Sequence, residues 1–370
     1  MIVTFPHMGH LSIALKAIFT GLGCTVLTPP PVSKRTLALG VKHAPETVCL
    51  PFKVTLGNFI EALELGADTL VTCGGVGPCR LGYYAEVQQG ILRALGYDFT
   101  MVVFEPNLPD VLHSIRRLAP RLGLRQVYQA FRLGLAKVNA LDDLERQVSC
   151  LRAREAAPGS ADAVWQDARQ AIDAAADLAT VRRIWQDSTA RLAAVSVRAG
   201  PAPLRIGIVG EIYVMLEPFV NLDLVRRLGS MDVEVHQTMY LSDYVNGHLF
   251  RRREYLDLFH RLATLAQPYL GHYVGGHGLK SVAYTLHMGQ SGYDGLIHVF
   301  PFTCMPEVVA KNILPKAASD AAIPVLSLAF DEQSGEAGIV TRLEAFVDLL
   351  RLRQNQPRGS NLKVLQAFLS

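Results

Sequence analysis

The chain has 370 residues, half of them hydrophobic and 19% charged, with 36 Lys and Arg against 33 Asp and Glu. That apolar content excludes wholesale disorder, and the near-neutral balance gives no footing for nucleic acid or an anionic membrane surface as partner. No apolar run reaches the roughly 18–20 residues that a membrane span needs. Residues 1–9 lack the basic and apolar regions of a signal peptide, so a cytoplasmic protein is expected.

Residues 1–5 are an apolar run that predicts a strand, followed by Pro6-His7-Met8-Gly9-His10. Helical spacing covers 11–22. A strand follows at 24–27, closed by Pro29-Pro30-Pro31, and a short strand at 47–50 ends at Pro51. Residues 54–65 read as a helix stopped by Gly66, and 68–73 as a strand running into Gly74-Gly75-Val76-Gly77-Pro78. A helix over 83–95 ends at Gly96, and 99–104 is the next strand. Strands alternating with helices of about 10–15 residues imply a parallel sheet covered on both faces.

From 108 to 203 strand signals vanish. The stretch is rich in Ala, Arg, Leu, Asp and Gln and reads as amphipathic helices, broken near Ala157-Pro158-Gly159-Ser160. Trp165 and Trp185 lie here as packing anchors, and Ala199-Gly200-Pro201-Ala202-Pro203 closes the stretch as a linker. The α/β pattern then returns, with strands over 204–209, 233–238, 295–300 and 323–328 and a weaker one over 271–274. A helix covers 341–350, and the tail from Arg353 reads as loose before a last short helix. The expectation is an α/β fold of two parallel-sheet, Rossmann- or flavodoxin-like units. Their domains are 1–107 and 204–370, with a helical insertion, 108–203, between them.

Ligands of open α/β sheets gather at the carboxyl ends of strands. Of the six cysteines, Cys49, Cys79 and Cys304 are expected there or just beyond, and Cys73 at the end of the strand leading to Cys79. Nearby Gly and Pro let backbone N–H groups approach sulfur, and helix N-termini favour thiolate. Cys49, Cys79 and Cys304 on three loops facing across a cleft would hold a 4Fe–4S cluster with one iron open to substrate. Cys73 is open between ligand, neighbouring thiol and core residue, while Cys24 and Cys150 read as structural.

The spacing Cys73-x5-Cys79 is neither a zinc nor a ferredoxin signature. Lys53, Arg80, Glu211 and Glu307, beside these loops, are candidates for moving protons or tuning a cluster, with ion pairs and helix caps as the plainer reading. His7, His10, His272 and His277 are candidate proton donors or ordinary hydrogen-bonded residues. The turns 74–77 and 275–278 could cradle phosphate, though neither is G-x-G-x-x-G nor a Walker A sequence. A nucleotide-binding protein with structural cysteines is therefore a rival reading.

Several long strings follow one another in order. Cys49-Leu50-Pro51-Phe52-Lys53 continues to Glu64, and Gly77-Pro78-Cys79-Arg80-Leu81-Gly82-Tyr83-Tyr84 comes next. Val209-Gly210-Glu211-Ile212-Tyr213 and Phe300-Pro301-Phe302-Thr303-Cys304-Met305-Pro306-Glu307 follow, then Asp331-Glu332-Gln333-Ser334-Gly335 and the run from Thr341 to Asp348. Together they resemble the 2-hydroxyacyl-CoA dehydratase component D superfamily, in its acyl-CoA dehydratase activase-related, or CoA-activase-like, branch. The match runs to about residue 350.

The resemblance implies an iron–sulfur electron-transfer protein, an oxidoreductase or lyase of anaerobic chemistry. Relatives hold a 4Fe–4S cluster or a double-cubane 8Fe–9S cluster, reduced by an ATP-hydrolysing activase of the actin-like kinase fold. In dehydratases the electron turns a 2-hydroxyacyl-CoA thioester into a ketyl radical that expels hydroxide, and double-cubane relatives reduce small molecules. Carried over residue by residue, Cys49, Cys79 and Cys304 are the ligand candidates, with Cys73 as a possible fourth. A double cubane would take about six thiolates, and Cys24 and Cys150 are poorly placed for that, so a single cubane is favoured. No actin-like phosphate loops are visible, so the chain is the electron acceptor. Its substrate would be a small molecule or an acyl-CoA, and it would pair with itself or with a second subunit. A non-catalytic cluster carrier, or a scaffold partner of an activase, is the other reading of the same cysteines.

Overall fold

The structure is a computed structural model that describes residues 1–75, 77–105, 108–120, 122–250 and 252–354. The first α/β stretch runs β1 (Ile2–Thr4), α1 (Leu11–Gly21), β2 (Thr25–Val26), α2 (Lys34–His43), α3 (Leu50–Glu64), β3 (Thr69–Cys73), α4 (Tyr84–Ala94) and β4 (Thr100–Phe104). The middle third is helical: α5 (Leu108–Leu118), α6 (Leu124–Leu151), α7 (Ser160–Ala174) and α8 (Leu178–Ala193). The second stretch starts with β5 (Leu204–Gly210), α9 (Ile212–Leu216), α10 (Leu224–Ser230), β6 (Val233–Gln237) and α11 (Leu241–Tyr244). It continues through α12 (Arg253–Ala266), α13 (Gly278–Gln290), β7 (Gly295–Pro301), α14 (Met305–Asp320), β8 (Val325–Phe330) and α15 (Glu336–Gln354).

The fold is α/β with two four-stranded, all-parallel sheets, ordered β2-β1-β3-β4 and β6-β5-β7-β8. Taken sheet by sheet, the order is the same: second strand, first, third, fourth. Each chain path leaves its first strand in one direction and returns to build in the other. The switch point therefore lies between the first and third strands, where such sheets collect ligands.

Two compact units result. One holds Met1–Asp143, Asp167–Asp187 and Leu241–Arg251; the other holds Leu144–Gln166, Ser188–Tyr240 and the described residues from Arg252 onward. Helices α6, α7 and α8 each contribute to both. None of the described helices is long and apolar enough to cross a membrane.

Alternation along parallel strands sends neighbouring residues to opposite faces, and each sheet is covered on both. Over the first, Val3, Phe5, Val71 and Val102 pack with Ile18, Phe19 and Ile115, and Cys24 belongs to this core. On its other face Leu70 and Met101 meet Phe52, Leu56, Phe59 and Leu92. In the second sheet Leu296 packs with Met288 and Ala318, from α13 and α14. A Cβ on the next residue, Gly295, would meet Leu350 and Phe346 of α15.

Helix α3 is buried from Leu50 to Leu63, with Lys53, Thr55, Asn58 and Glu61 among its apolar residues. It starts earlier than its apolar spacing suggests, because Pro51, whose ring fixes φ and whose missing N–H is not needed there, sits in its first turn. The strand expected over 47–50 is thus absent, and Cys49 ends no strand. The weaker strand expected over 271–274 is also absent. Helix α2, capped by Ser33 and Thr36 in a reciprocal capping box, takes up a stretch without apolar periodicity. Helix α15 is longer than expected, and the tail helix expected after Arg353 falls largely outside the described residues.

Candidate functional site

The three cysteines singled out by spacing share one local geometry. Cys49 is the N-cap of α3, Cys79 the N-cap of a 3-10 turn (Arg80–Tyr83) that leads into α4, and Cys304 the N-cap of α14. All three have extended backbone, with φ/ψ of −71°/153°, −71°/132° and −75°/105°. An N-cap residue stands next to the first free N–H groups of its helix, whose partial positive charge favours thiolate. Cys79 and Cys304 also occupy the same place in the two units, the connection after the third strand of the sheet.

In the first unit the loops carrying Cys49 and Cys79 are tied together. Arg80 Nη1 donates to the Thr47 carbonyl at 3.0 Å, and the Tyr84 hydroxyl lies 2.5 Å from Cys49 Sγ. Tyr84 is buried, edge-on to Phe52, with ring centroids 5.0 Å apart. The loop from Gly74 to Gly82 doubles back so closely that a Cβ on Gly82 would stand 2.6 Å from the Gly75 carbonyl, and Gly77 has φ +110°. Only glycine fits such an approach.

Lys53 is buried on α3, one turn after Cys49. Cys73 ends β3 with its side chain exposed, next to Gly74 and Glu105. Leu81 and Tyr83 are exposed beside Cys79.

In the second unit Cys304 opens the helix that carries Glu307. Glu307 is fully buried, and its Oε2 accepts from Ser281 Oγ at 2.8 Å and lies 2.9 Å from His298 Nε2. Its Oε1 has no hydrogen-bond partner. His298, also fully buried, stacks on Phe300 at 4.6 Å and faces Ser327 Oγ through Nδ1. Glu211 caps α9 by accepting from the Tyr213 and Val214 N–H groups, each at 3.0 Å. Burial pushes its carboxyl up to about 7 against those two hydrogen bonds, and the Glu307 carboxylate adds to the push. Glu211 and Glu307 thus belong to one electrostatic system, with a proton held near neutrality.

No known protein-family pattern and no curated protein matches this chain. Its chemistry is read from the side chains themselves.

Three of the four histidines flagged by sequence have defined places. His7 Nε2 lies 2.8 Å from the Pro29 carbonyl, and the His7 backbone N–H donates to Asn58 Oδ1, so it braces the loops after β1 and β2. His10 and His277 are the N-caps of α1 and α13, and His272 is exposed. Two of the three glycines of 275–278 are explained by packing: a Cβ on Gly278 would lie 2.4 Å from the Pro306 carbonyl, and one on Gly276 would lie 3.2 Å from the Pro306 ring. His298, Ser281 and Tyr84 are the site residues that spacing did not single out. Their signal is a polar group inside an otherwise apolar element, since buried polar groups need partners.

Cys150 does not sit in a purely apolar setting. Cys150, Glu234 and His236 form a group whose potential ligand atoms all lie within 4.8 Å of one another. Three such donors suit one ion and do not amount to a 4Fe–4S site.

Proposed function

We propose that this chain is a cytoplasmic iron–sulfur protein of the 2-hydroxyacyl-CoA dehydratase type, reduced by a separate ATP-hydrolysing activase. What carries the reading is the recurrence of cysteine at three helix N-caps, Cys49, Cys79 and Cys304, two of them in corresponding connections of two sheets with one strand order. Three thiolates fit a 4Fe–4S cluster with one iron unligated by protein. Such a cluster, when bound, supplies a single low-potential electron for reduction or dehydration of a small molecule or acyl-CoA.

The chain's own residues do the rest. Helix N-termini lower the cost of negative charge on the sulfurs. Arg80, next in sequence to Cys79, fixes the Cys49 loop by donating to the Thr47 carbonyl. Tyr84 orients Cys49 Sγ by its hydroxyl. Glu211, its carboxyl pushed up to about 7, is poised between protonated and ionised forms at neutral pH, and His298 with Ser281 steadies Glu307 through Oε2. Glu211 is the group that would deliver a proton to a departing hydroxide.

Anaerobic reconstitution with iron and sulfide tests the reading. About four irons per chain are expected, with loading abolished in a Cys49→Ala/Cys79→Ala/Cys304→Ala variant. Undiminished loading in that variant would overturn the ligand assignment, and about eight irons per chain would point to the double cubane.

A further inference from the structure

The Cys150 group lies at the opening half of the second sheet, β5 and β6. Glu234 and His236 stand two apart on β6, so both project from one face. Arg205 and Gly207 of β5 pair with them in register on that same face. Cys150 reaches the group from the last turn of α6. All three potential ligands belong to one compact unit.

We propose that Cys150, Glu234 and His236 form a binding site for one divalent transition-metal ion of the zinc type. Thiolate, imidazole and carboxylate are the donor set zinc prefers, and three protein ligands leave a fourth tetrahedral position for water. The surroundings hold the donors in place. Arg154 Nη2 grips Glu234 Oε2 at 2.5 Å, while Oε1 lies 2.8 Å from His236 Nε2 and 4.0 Å from Arg205 Nε. A carboxylate fixed through one oxygen and presented through the other is the usual arrangement of a metal ligand with an outer partner. The His236 ring is set edge-on against Tyr293 at 5.3 Å, and the Arg205 guanidinium lies over the Tyr293 ring, 4.4 Å from its centroid.

The ion would take the space now bridged by the Oε1–Nε2 hydrogen bond. When Nε2 takes the ion, the His236 ring carries its proton on Nδ1 instead. Binding forms a metal–thiolate bond at Cys150 and releases the thiol proton to solvent. One thiolate and one carboxylate then offset the ion's two charges, while Arg154 and Arg205 stay beside Glu234.

Cobalt(II) is the direct probe, used on the full chain carrying Cys49→Ala/Cys79→Ala/Cys304→Ala so that cluster ligands cannot compete. One cobalt per chain is expected, with a sulfur-to-metal charge-transfer band that zinc bleaches. Adding Cys150→Ser should remove the band, and His236→Gln should weaken binding by at least about 100-fold, in line with the loss of a ligand. Arg154→Ala, which leaves all three donors, should weaken it by about 10-fold. If Cys150→Ser does not fold, proton release decides: zinc titration should release about one proton per ion bound at neutral pH. Absence of stoichiometric cobalt binding, a band unchanged by Cys150→Ser, or binding without proton release would each overturn the site.

Discussion

Glu211 shows how a single side chain links pH to stability. Its carboxyl stands at about 7 in the folded chain, because burial outweighs the two helix N–H groups it caps, and its ordinary value is 4.5. Between those values the folded chain keeps a proton that the unfolded chain releases. The contribution is fully present below about pH 4.5 and is lost as pH rises through 7. Its size is at most about 3 kcal/mol. Glu211→Gln, which keeps an acceptor for the cap, should flatten this slope, so urea unfolding at pH 5 and pH 8 should differ less in the variant than in the parent. Equal slopes would show that Glu211 ionises normally. Sequence made Glu211 and Glu307 visible as acidic residues beside strand ends. It did not expose His298 and Ser281, because a polar residue flanked by Ile297 and Val299 reads as part of a core strand until its partner is known. Cys150 was hidden for a similar reason: its neighbours Glu234 and His236 come from a distant strand.

At the scale of elements, the position of Cys49 depends on how α2 meets α3. The two helices touch backbone to backbone. A Cβ on Gly40 would lie 1.7 Å from the Lys53 carbonyl, and one on Gly57 would lie 1.9 Å from the Thr36 carbonyl. Backbone cannot yield as a flexible side chain does, so Gly40→Ala or Gly57→Ala should cost at least about 1–3 kcal/mol and shift the Cys49 loop. Gly90 on α4 meets nothing within 4 Å, so Gly90→Ala should be neutral or stabilising by up to about 1 kcal/mol. Chemical denaturation of the three variants checks the contrast, and equal effects would refute the tight crossing. The same contact explains what the sequence concealed. Helix α2 is polar and interrupted by Gly40, so it shows no apolar stripe. The β-branched run at Thr47-Val48 looks like a strand, although Pro51 is a helix-start signal. Thus α1, α4 and most strands were legible from periodicity, while elements set by tertiary packing were not.

For the whole molecule, two parallel-sheet units were legible because strands and helices alternate at both ends of the chain. Their common strand order was not, since order depends on which way each crossover turns. The division of α6, α7 and α8 between the units was equally hidden, because an amphipathic helix does not announce which core it serves. The repeated order has a consequence for descent by duplication. If each sheet is one copy of an ancestral half, the helix before its third strand should begin alike in both. In the first half that cap is Cys49, on α3; in the second it is His277, on α13. Cys79 and Cys304 form the other matched pair. Two halves would then offer four corresponding caps, three of them cysteine, and under the iron–sulfur reading proposed above the fourth, His277, would leave one iron without a thiolate. His277→Cys should restore the fourth. In the reconstituted parent, cyanide or an acyl-CoA should perturb the cluster's EPR signal, and in the variant it should not. An unchanged response would separate the ancestry of the fold from the openness of the site.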